Sequence, residues 1–373
     1  MKILQVNKYF HPHIGGIETV VRDIHQVFGN ENIEGDVLCF AEDKHDSVEV
    51  ARSGFNGSAN TIYRQSRAGV AFGMPLSWSF LKKFKEIAGN YDLIILHHPF
   101  PFGFFAYWLY AQNKPMVVWY HSDIVRQKAM AMFIRPLLKM VLQKALRVIV
   151  SHEAIAENSN LLNNCRSKLI VIPFLGGQLP AKKVNEKGSG NSANQIVQIL
   201  SVGRLVYYKG YEYLIKAMAG VDAELAIVGQ GPLRKQLKDL IKDLELVNVR
   251  IIPPVADLSA LYADSDIFVL PSIAKSEAFG LVQLEAMSHG LPVINTNLPT
   301  AVPTVSLHEY TGLTVRPADE SALRQAIMRL TDDPELRHRY GQAALARVTG
   351  EYSYGRFREN LKKLIELTII DHE

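Results

Sequence analysis

The stretch Pro271-Ser-Ile-Ala-Lys-Ser-Glu277-Ala-Phe-Gly280-Leu-Val-Gln-Leu-Glu285-Ala-Met-Ser-His-Gly290-Leu-Pro292 decides the predicted fold. The apolar run 266–270 before it predicts a short, buried parallel strand. Residues 280–289 favour a helix, which ends at Gly290. A strand, a loop and a helix start in this order form the edge of an open α/β sheet where ligands bind. A helix that begins near Phe279 or Gly280 would present its free N–H groups to a phosphate.

Two carboxylates flank this helix start, Glu277 in the loop and Glu285 in the helix. Carboxylates do not bind a diphosphate, but they accept hydrogen bonds from hydroxyls. One can hold the hydroxyls of a sugar and the other those of a ribose, so the arrangement suits a sugar nucleotide. The spacing alone is weak support, because Glu351 and Glu359 repeat it in a predicted surface helix.

Length and composition indicate a globular protein. A chain of 373 residues suggests about two to three domains, and 48% hydrophobic and 21% charged residues are ordinary values. No apolar run reaches the ~18 residues of a membrane-spanning helix, and residues 1–8 do not resemble a signal peptide. Cys39 and Cys165 form no disulfide framework, which predicts a reducing cytosol. The net charge of +4 does not indicate nucleic-acid binding.

In the sequence S-E-A-F-G-L-V-Q-L-E-A-M-S-H-G-L-P-V, the two glutamates resemble the donor site of family 4 retaining glycosyltransferases of the GT-B fold. Two further stretches match this family in the expected order, Gly15-Gly16-Ile-Glu18 and Gly203-Arg204-Leu-Val-Tyr-Tyr-Lys209-Gly210. The resemblance covers nearly the whole chain. It implies an α/β fold of two Rossmann-like domains that face each other across a cleft, with a C-terminal helix that crosses back to the N-terminal domain.

The predicted domain boundaries follow from this resemblance and from local composition. Residues 1–174, with the returning helix 356–373, form the N-terminal, acceptor-side domain. Residues 175–194 form a linker and a mobile loop, because they are rich in turn-forming and polar residues. Residues 195–355 form the nucleotide-sugar-binding domain.

The resemblance also implies roles for individual residues in the second domain. Arg204 and Lys209 would stabilise the leaving diphosphate, Glu277 would hold the sugar hydroxyls, and Glu285 would hold the ribose. Together with His121, residues Arg204, Lys209 and Glu277 form the predicted catalytic set. Alongside Arg204, Lys209 and Glu277, the predicted donor-binding set contains Gly15, Gly16, Gly203, Gly229, Gly231, Val255, Ala278, Phe279, Gly280, Leu281 and Glu285.

The stretch Tyr120-His121-Ser-Asp123-Ile-Val-Arg126-Gln-Lys128 follows a predicted strand at 115–120. In the family, a histidine at this place faces the transferred sugar, so His121 is expected to line the donor-sugar pocket. The stretch is similar to that of bacterial members that build surface polysaccharides on a lipid carrier, several of them mannosyltransferases. The residues expected near the acceptor are His11, His98, Asp123, Arg126 and Lys128.

The N-terminal domain contains two segments that allow two interpretations each. Residues 126–147 carry basic and apolar side chains without an acidic residue, which suits an anionic membrane surface or merely a solvated helix. Pro136 divides this segment into two predicted helices. The aromatic residues of 97–105 could form core or line an acceptor groove. Residues 46–60 are polar and are expected to be irregular.

No metal and no dinucleotide cofactor are predicted. Asp264-Ser-Asp266 resembles a metal-binding D-x-D sequence, but it precedes its strand, at the sheet edge opposite the ligand. His11 and His13 lack a third metal ligand. The turn Gly229-Gln-Gly231 lacks the third glycine of a dinucleotide fingerprint at Arg234, which makes an NAD oxidoreductase the least favoured enzyme.

The sequence therefore predicts a retaining, metal-independent hexosyltransferase. GDP-mannose is the favoured donor, with UDP-hexoses as the rival, and the acceptor is a lipid-linked glycan of surface polysaccharide or lipopolysaccharide. A GT-B epimerase or phosphorylase and a non-catalytic sugar-nucleotide-binding protein are the alternatives. The expected location is the cytoplasm, including the inner face of the plasma membrane.

Overall fold

A computed structural model of the chain describes residues 1–13, 15–42, 45–52, 59–71, 74–123, 128–176 and 196–370. They divide into two compact units: the first is Met1–Leu175 with Gly355–Glu373, and the second is Gly176–Tyr354. Each unit is built on a parallel β-sheet with helices, which confirms the predicted pair of Rossmann-like domains. The predicted linker and loop at 175–194 lies outside the described residues from 177 onward.

The first unit contains one large sheet and a small hairpin. Its strands are β1 (Lys2–Val6), β2 (Glu34–Phe40), β3 (Ser47–Arg52), β4 (Ala59–Gln65), β5 (Gly69–Ala71), β6 (Met74–Leu76), β7 (Leu93–His98), β8 (Met116–Tyr120), β9 (Arg147–Val150) and β10 (Leu169–Val171). Its helices before the second unit are α1 (Gly16–Asn30), α2 (Trp78–Ile87), α3 (Pro101–Tyr110), α4 (Lys128–Lys144) and α5 (Glu153–Glu157).

The large sheet has the strand order β10-β9-β8-β7-β1-β2-β4-β3. Its pairs are parallel except for β3, which pairs antiparallel with β4. The prediction that 46–60 is irregular is therefore wrong for β3 and the start of β4. The strand β3 lies at the sheet edge with Val48 and Val50 exposed, so it lacks the buried apolar pattern that identifies an inner strand.

The second unit has strands β11 (Val197–Val202), β12 (Ala223–Val228), β13 (Val249–Ile252), β14 (Ile267–Val269), β15 (Val293–Thr296) and β16 (Gly312–Val315). Its helices are α6 (Tyr211–Ala217), α7 (Arg234–Asp243), α8 (Ser259–Asp264), α9 (Leu281–Ser288), α10 (Val302–Val305), α11 (Glu320–Asp332) and α12 (Pro334–Glu351). The strand order is β13-β12-β11-β14-β15-β16, with all pairs parallel.

In both sheets the chain first builds outward in one direction and then in the other. The direction reverses between β1 and β7 in the first unit, and between β11 and β14 in the second. At such a switch point the loops that follow the two adjacent strands diverge, which leaves a crevice at their carboxyl ends. From the topology, ligand-binding residues are therefore expected to follow β1, β7, β11 and β14.

The helices on the first sheet contradict one expectation and decide between two alternatives that the sequence left open. The segment around Pro136 forms the single helix α4. A proline costs one helix hydrogen bond and kinks the axis, but the buried Leu138, Val141 and Leu142 anchor the turns that follow it. The aromatic stretch begins α3, and its Phe100, Phe102 and Phe104 are buried, so these three rings belong to the core.

The last helix, α13 (Tyr354–Ile370), belongs almost entirely to the first unit. Its Phe357 ring lies 6.5 Å from that of Trp119, and Arg358 lies 3.3 Å from the Glu31 carboxylate at the end of α1. Lys362 pairs with the same carboxylate. These contacts confirm the predicted return of the C-terminal helix. Among the described helices, none combines the length and the apolar character needed to cross a bilayer.

Candidate active site

The switch point of the second unit joins the two sequence motifs. The chain leaves β11 through Gly203 and reaches Lys209 in a short 3-10 turn, while the 271–280 loop leaves β14. The Ile273 N–H donates to the Tyr208 carbonyl at 2.8 Å. Gly210 has φ +68°, and a Cβ there would lie 2.1 Å from the Pro271 carbonyl oxygen. Only glycine allows this approach, which brings Lys209 beside the second loop.

Lys209 and Glu277 form a buried ion pair in this crevice. Their Nζ and Oε2 atoms are 2.6 Å apart, and the residues are only 7% and 8% exposed. The Ser272 hydroxyl donates to the same Oε2 at 2.9 Å. Burial opposes the charge on Lys209, but the Glu277 carboxylate outweighs it and raises the pKa of Lys209 above its usual value. The site therefore keeps an ammonium group and a carboxylate in contact.

Hydrogen bonds hold the start of α9, which follows Glu277 in the chain. Gly280 caps the helix in the left-handed region with φ +76°. The buried Gln283 side chain donates to the Phe279 carbonyl at 3.0 Å, and the Ala278 carbonyl accepts from the Ala301 N–H at 2.9 Å. The Phe279 ring is buried, so this loop can offer a ligand its backbone rather than its aromatic side chain.

The second carboxylate of the motif is oriented by a tyrosine. The Tyr262 hydroxyl of α8 donates to Glu285 Oε2 at 2.9 Å. Burial, together with the Glu285 charge, raises the pKa of Tyr262 well above its usual value, so the hydroxyl stays a donor. Glu285 is half-buried and the His289 ring stacks on Tyr262 at 5.1 Å. The carboxylate is thus fixed in direction yet remains partly accessible.

The remaining predicted donor residues of this unit lie on neighbouring loops. Arg204 is exposed directly after Gly203, and Val255 is exposed in the loop after β13. A Cβ at Gly229 would lie 2.0 Å from the Gly203 carbonyl oxygen, and one at Gly231 would lie 2.4 Å from that of Leu205. These two glycines therefore let the loops after β11 and β12 touch.

In the first unit, His121 directly follows β8. Its backbone N–H donates to the His98 carbonyl at 3.1 Å, and its Nε2 atom lies 3.0 Å from His97 Nδ1. The Phe174 ring lies 5.8 Å from the imidazole. Burial, and then the neighbouring His97 and His98, hold the pKa of His121 well below its usual value. The His121 side chain is therefore neutral at physiological pH.

The glycines after β1 begin helix α1. Gly15 is its extended N-cap, and the Gly15 carbonyl accepts from both the N–H and the hydroxyl of Thr19 at 3.0 Å. A Cβ at Gly15 would lie 2.2 Å from the Glu18 carboxylate. Gly16 is the first helical residue, so the positive end of a 15-residue helix lies just beyond the carboxyl end of β1.

Residues 14–173 match the family model of glycosyltransferase family 4, and residues 183–347 match that of glycosyl transferases group 1. Over 360 residues the chain is 32% identical to the D-rhamnosyltransferase WbpZ of Pseudomonas aeruginosa, with 93% of this chain and 91% of that protein covered. The chain belongs to the family 4 glycosyltransferases.

This glycosyltransferase is also 29% identical to the O-antigen chain mannosyltransferase C of Escherichia coli, over 92% of each chain. Among solved structures, the sucrose-phosphate synthase of Thermosynechococcus elongatus superimposes with a TM-score of 0.80 over 99% of both chains, at 23% identity. That likeness concerns the fold, and it agrees with the predicted GT-B architecture.

The residues expected near the acceptor of the glycosyltransferase are placed very differently from one another. His11 is exposed, whereas His98 is 1% exposed, with its ring 4.5 Å from Tyr120 and its pKa lowered by burial to about 3. Asp123 is half-buried and accepts from the Ser159 hydroxyl at 2.7 Å and from Tyr120. Arg126 lies outside the described residues, and so does the side chain of Lys128. His98 is thus a core residue in this structure.

Several polar residues of these crevices are not among the predicted site residues. Ser272 and Tyr262 orient the two glutamates, and Gln5 and His97 form a buried chain with His121. A usable signal was present for some of them. Ser272 follows the apolar strand β14 after Leu270 and Pro271, and Gln5 interrupts the otherwise apolar end of β1. A polar residue in such a place needs a buried partner.

The acidic pair before β14 lies away from these crevices. Asp266 Oδ2 accepts from the Gln198 N–H at 2.9 Å, at the start of β11 and β14. Asp264 ends α8 and Asp266 precedes β14, so the pair lies before its strand as the sequence predicted. Within the described ranges, no group of three or more His, Cys, Asp or Glu side chains is arranged to hold a metal ion.

Proposed function

We propose that this glycosyltransferase moves a hexose from a nucleoside diphosphate sugar to a glycan hydroxyl with retention of configuration. The buried Lys209–Glu277 pair beside the start of α9 is the observation that carries the proposal. It supplies one group for each half of such a donor. The ammonium group and the helix start suit the diphosphate, and the carboxylate suits the hydroxyls of the sugar.

The ion pair also suggests how the donor is received. Lys209 and Glu277 neutralise each other at 2.6 Å. A donor would replace each partner with one of its own groups, since its diphosphate binds Lys209 and its sugar hydroxyls bind Glu277. Both protein groups therefore enter the reaction ionised. Arg204 would add a second positive charge as the diphosphate leaves, and Glu285 would bind the ribose.

The stereochemical proposal rests on the role of Glu277. Its Oε2 atom accepts a hydrogen bond from the Ser272 hydroxyl at 2.9 Å, and we propose that it binds sugar hydroxyls rather than attacking the sugar. We propose departure and attack on the same face, with the diphosphate helping to deprotonate the acceptor. Because Arg204, Lys209 and the α9 start match the diphosphate charge, we propose that no metal is required. Undiminished turnover in excess EDTA is the expected result.

We propose GDP-mannose as the donor and a lipid-linked glycan of surface polysaccharide or lipopolysaccharide as the acceptor. The similarity to an O-antigen mannosyltransferase and to a D-rhamnosyltransferase supports this choice. A UDP-hexose is the rival donor. The alternatives are an epimerase or a phosphorylase, which would transfer the sugar to water or phosphate, and a non-catalytic protein, which would bind a sugar nucleotide without turnover.

Thermal shifts with GDP, UDP, ADP and dTDP test the donor first. A ligand that binds only the folded state raises the melting temperature. A shift with GDP alone supports the proposal, and a shift with UDP alone selects the rival donor. Radiolabelled GDP-mannose with a membrane extract as acceptor then tests transfer. We expect labelled product in the lipid fraction. Label found only as free sugar or as sugar phosphate would reject the transferase reaction.

We also propose that the first unit binds the cytoplasmic surface of an anionic membrane. Helix α3 packs against α4 and α2. Together these helices expose aromatic and apolar side chains next to basic ones, and α3 and α4 contain no acidic residue. Among the exposed side chains are Trp78, Phe105, Trp108, Leu109, Tyr110, Arg135, Lys139, Met140 and Lys144, while α2 also exposes Lys82, Lys85 and the acidic Glu86. Trp and Tyr with Lys and Arg are the residues favoured at a lipid headgroup region.

Vesicle sedimentation tests this surface. We expect the protein to sediment with phosphatidylglycerol vesicles and not with phosphatidylcholine vesicles, and the double variant Lys139→Glu/Lys144→Glu to lose that binding. The matched control Lys235→Glu/Lys238→Glu changes two exposed lysines of α7 in the second unit and should still sediment. Equal loss of vesicle binding in both variants would show that binding depends only on the net charge of the protein. That result would contradict a specific membrane-binding surface.

A further inference from the structure

A chain of buried side chains crosses the switch point of the first unit. Gln5 of β1 lies with its Oε1 atom 3.2 Å from His97 Nε2, and His97 Nδ1 lies 3.0 Å from His121 Nε2. Gln5 is fully buried, His97 is 1% exposed and His121 is 5% exposed. The two imidazoles are within 15° of parallel with centroids 5.3 Å apart, which suits a hydrogen bond in the ring plane.

The backbone fixes the direction of the first hydrogen bond. Gln5 Nε2 lies 3.5 Å from the Val21 carbonyl oxygen, which can only accept. The Gln5 amide is therefore oriented with its nitrogen toward Val21 and its oxygen toward His97. Because that oxygen also only accepts, His97 must carry its proton on Nε2.

The same reasoning assigns the protons on the His121 ring. Burial lowers the pKa of His97 to about 3, so His97 is neutral and has one N–H group. Its Nδ1 atom then offers a lone pair, and His121 must donate from Nε2. His121 is neutral as well. Its remaining nitrogen, Nδ1, therefore carries a lone pair and no proton.

We propose that Gln5 and His97 are positioning residues that hold His121 in its Nε2–H tautomer, so that Nδ1 accepts a hydrogen bond from a hydroxyl of the transferred sugar. This inference rests on the proposed sugar-binding role of His121. It assigns the ligand group chemically, because a neutral acceptor nitrogen binds a hydroxyl and cannot bind a phosphate oxygen. It also gives the buried amide in β1 a function beyond packing.

The variant Gln5→Glu separates positioning from packing. The two side chains have nearly the same shape, but a carboxylate beside His97 raises the pKa of that histidine. Below the raised pKa, His97 donates from both nitrogens, so His121 must accept with Nε2 and move its proton to Nδ1. Above it, His97 is neutral again and the wild-type arrangement returns. The variant should therefore lose activity on the acid side only.

The first measurement is the pH profile of GDP release from GDP-mannose between pH 5.5 and 8.5, a range fixed by the roughly 6.5 pKa of free histidine. In Gln5→Glu, kcat/KM should decline by about tenfold on the acid side, which the wild type does not show. In Gln5→Leu, kcat/KM should be about tenfold lower at every pH.

The control is His25→Leu, since His25 is buried in the same unit with Nδ1 3.0 Å from the Gly35 carbonyl. It should lower the melting temperature without a new inflection. A Gln5→Glu profile parallel to the wild type would overturn the proposal.

The second measurement does not depend on turnover. Nitrogen-15 NMR distinguishes protonated from unprotonated ring nitrogens, and His121→Gln identifies the His121 signals by their loss. The wild type should show an unprotonated Nδ1 and a protonated Nε2 on His121, and the pattern should invert in Gln5→Glu at acid pH. A proton on Nδ1 in the wild type would refute the tautomer. If GDP-mannose is not a substrate but the tautomer is as stated, the donor proposal fails while the positioning role stands.

Discussion

The two switch points of this glycosyltransferase have the same topology, but one contains a pair of charged side chains and the other contains neutral polar side chains. Between β11 and β14 a lysine and a glutamate form a charged pair at 2.6 Å. Between β1 and β7, and on to His121 after β8, buried amide and imidazole groups form a neutral chain. A buried charge persists only beside its partner, whereas a buried imidazole without one loses its proton. The comparison teaches that the fold supplies the crevice, and the side chains on neighbouring strands and their loops decide its charge.

The largest expected effect comes from breaking the charged pair. Lys209→Ala should destabilise the protein by about 3–5 kcal/mol, because Glu277 is left buried without a partner. Turnover should fall by about a hundredfold or more from the loss of diphosphate stabilisation. Urea unfolding followed by far-UV circular dichroism measures the first effect and GDP release the second.

The double variant Lys209→Met/Glu277→Leu separates these two effects. Apolar residues of similar size can replace a buried ion pair at little cost, so stability should return while activity stays lost. As a surface control, Lys216→Ala removes an exposed partner of Glu320 and should change stability by less than about 0.5 kcal/mol. Full activity in Lys209→Ala would contradict the role of the pair.

The next effect concerns the helix start beside the pair. In Gly280→Ala, the φ of +76° costs about 1–2 kcal/mol, and the new methyl group lies 2.6 Å from Leu270 Cδ2. Gly220→Ala is the matched control, because Gly220 has φ +75° with no atom within 4 Å of the added Cβ. We expect the two variants to share the backbone cost and Gly280→Ala alone to lose GDP affinity in calorimetry. Equal affinity in both would mean that the α9 start does not bind the nucleotide.

The buried histidines of the first unit predict sensitivity to acid. Burial lowers the pKa of His97 and His98 to about 3, and it also lowers that of His121 and His25. Below about pH 6.5 the unfolded chain binds protons that the folded unit does not, so the free energy of unfolding falls with falling pH. Each such histidine contributes about 1.4 kcal/mol per pH unit until its folded pKa is reached.

Tryptophan fluorescence measures this in the first unit, since Trp78, Trp108 and Trp119 all lie there. The urea midpoint should fall steadily from pH 7 to pH 5. His98→Phe should lessen that slope by one histidine, because His98 is enclosed by Phe104 and Tyr120. A midpoint that does not change with pH would show that these imidazoles take up protons in the folded protein as they do in the unfolded chain.

The smallest expected effect is a loss of GDP affinity, which tests the role of Glu285. Glu285→Gln should weaken GDP binding by about 1–2 kcal/mol in calorimetry if Glu285 holds the ribose hydroxyls. Tyr262→Phe removes the donor at 2.9 Å and should cost about 1 kcal/mol or less of the same affinity. Tyr310→Phe, at an exposed position, is the control and should change nothing. Unchanged affinity in Glu285→Gln would exclude the ribose role.

The sequence predicted the inner strands and the helices around the charged pair with ends within a few residues, because apolar runs and glycines are local signals. It did not predict β3, since an edge strand exposed on its valines lacks such a run. It also divided α4 at Pro136, because the local cost of a proline is visible in sequence and the packing that offsets it is not. The resemblance to a known family supplied the motif residues, but not Ser272 or Tyr262, which orient them.

The sequence by itself determined the two α/β units, the positions of the strand-to-loop junctions and the presence of Lys209, Glu277 and His121 at them. These features depend on residues close together in the chain. Only the tertiary structure decided that Lys209 contacts Glu277 and that Gln5 reaches His121 through His97. Strand order brings such residues together from distant segments, and burial then sets whether each group is charged. Neither the strand order nor the burial of a group can be read from any single stretch of the chain.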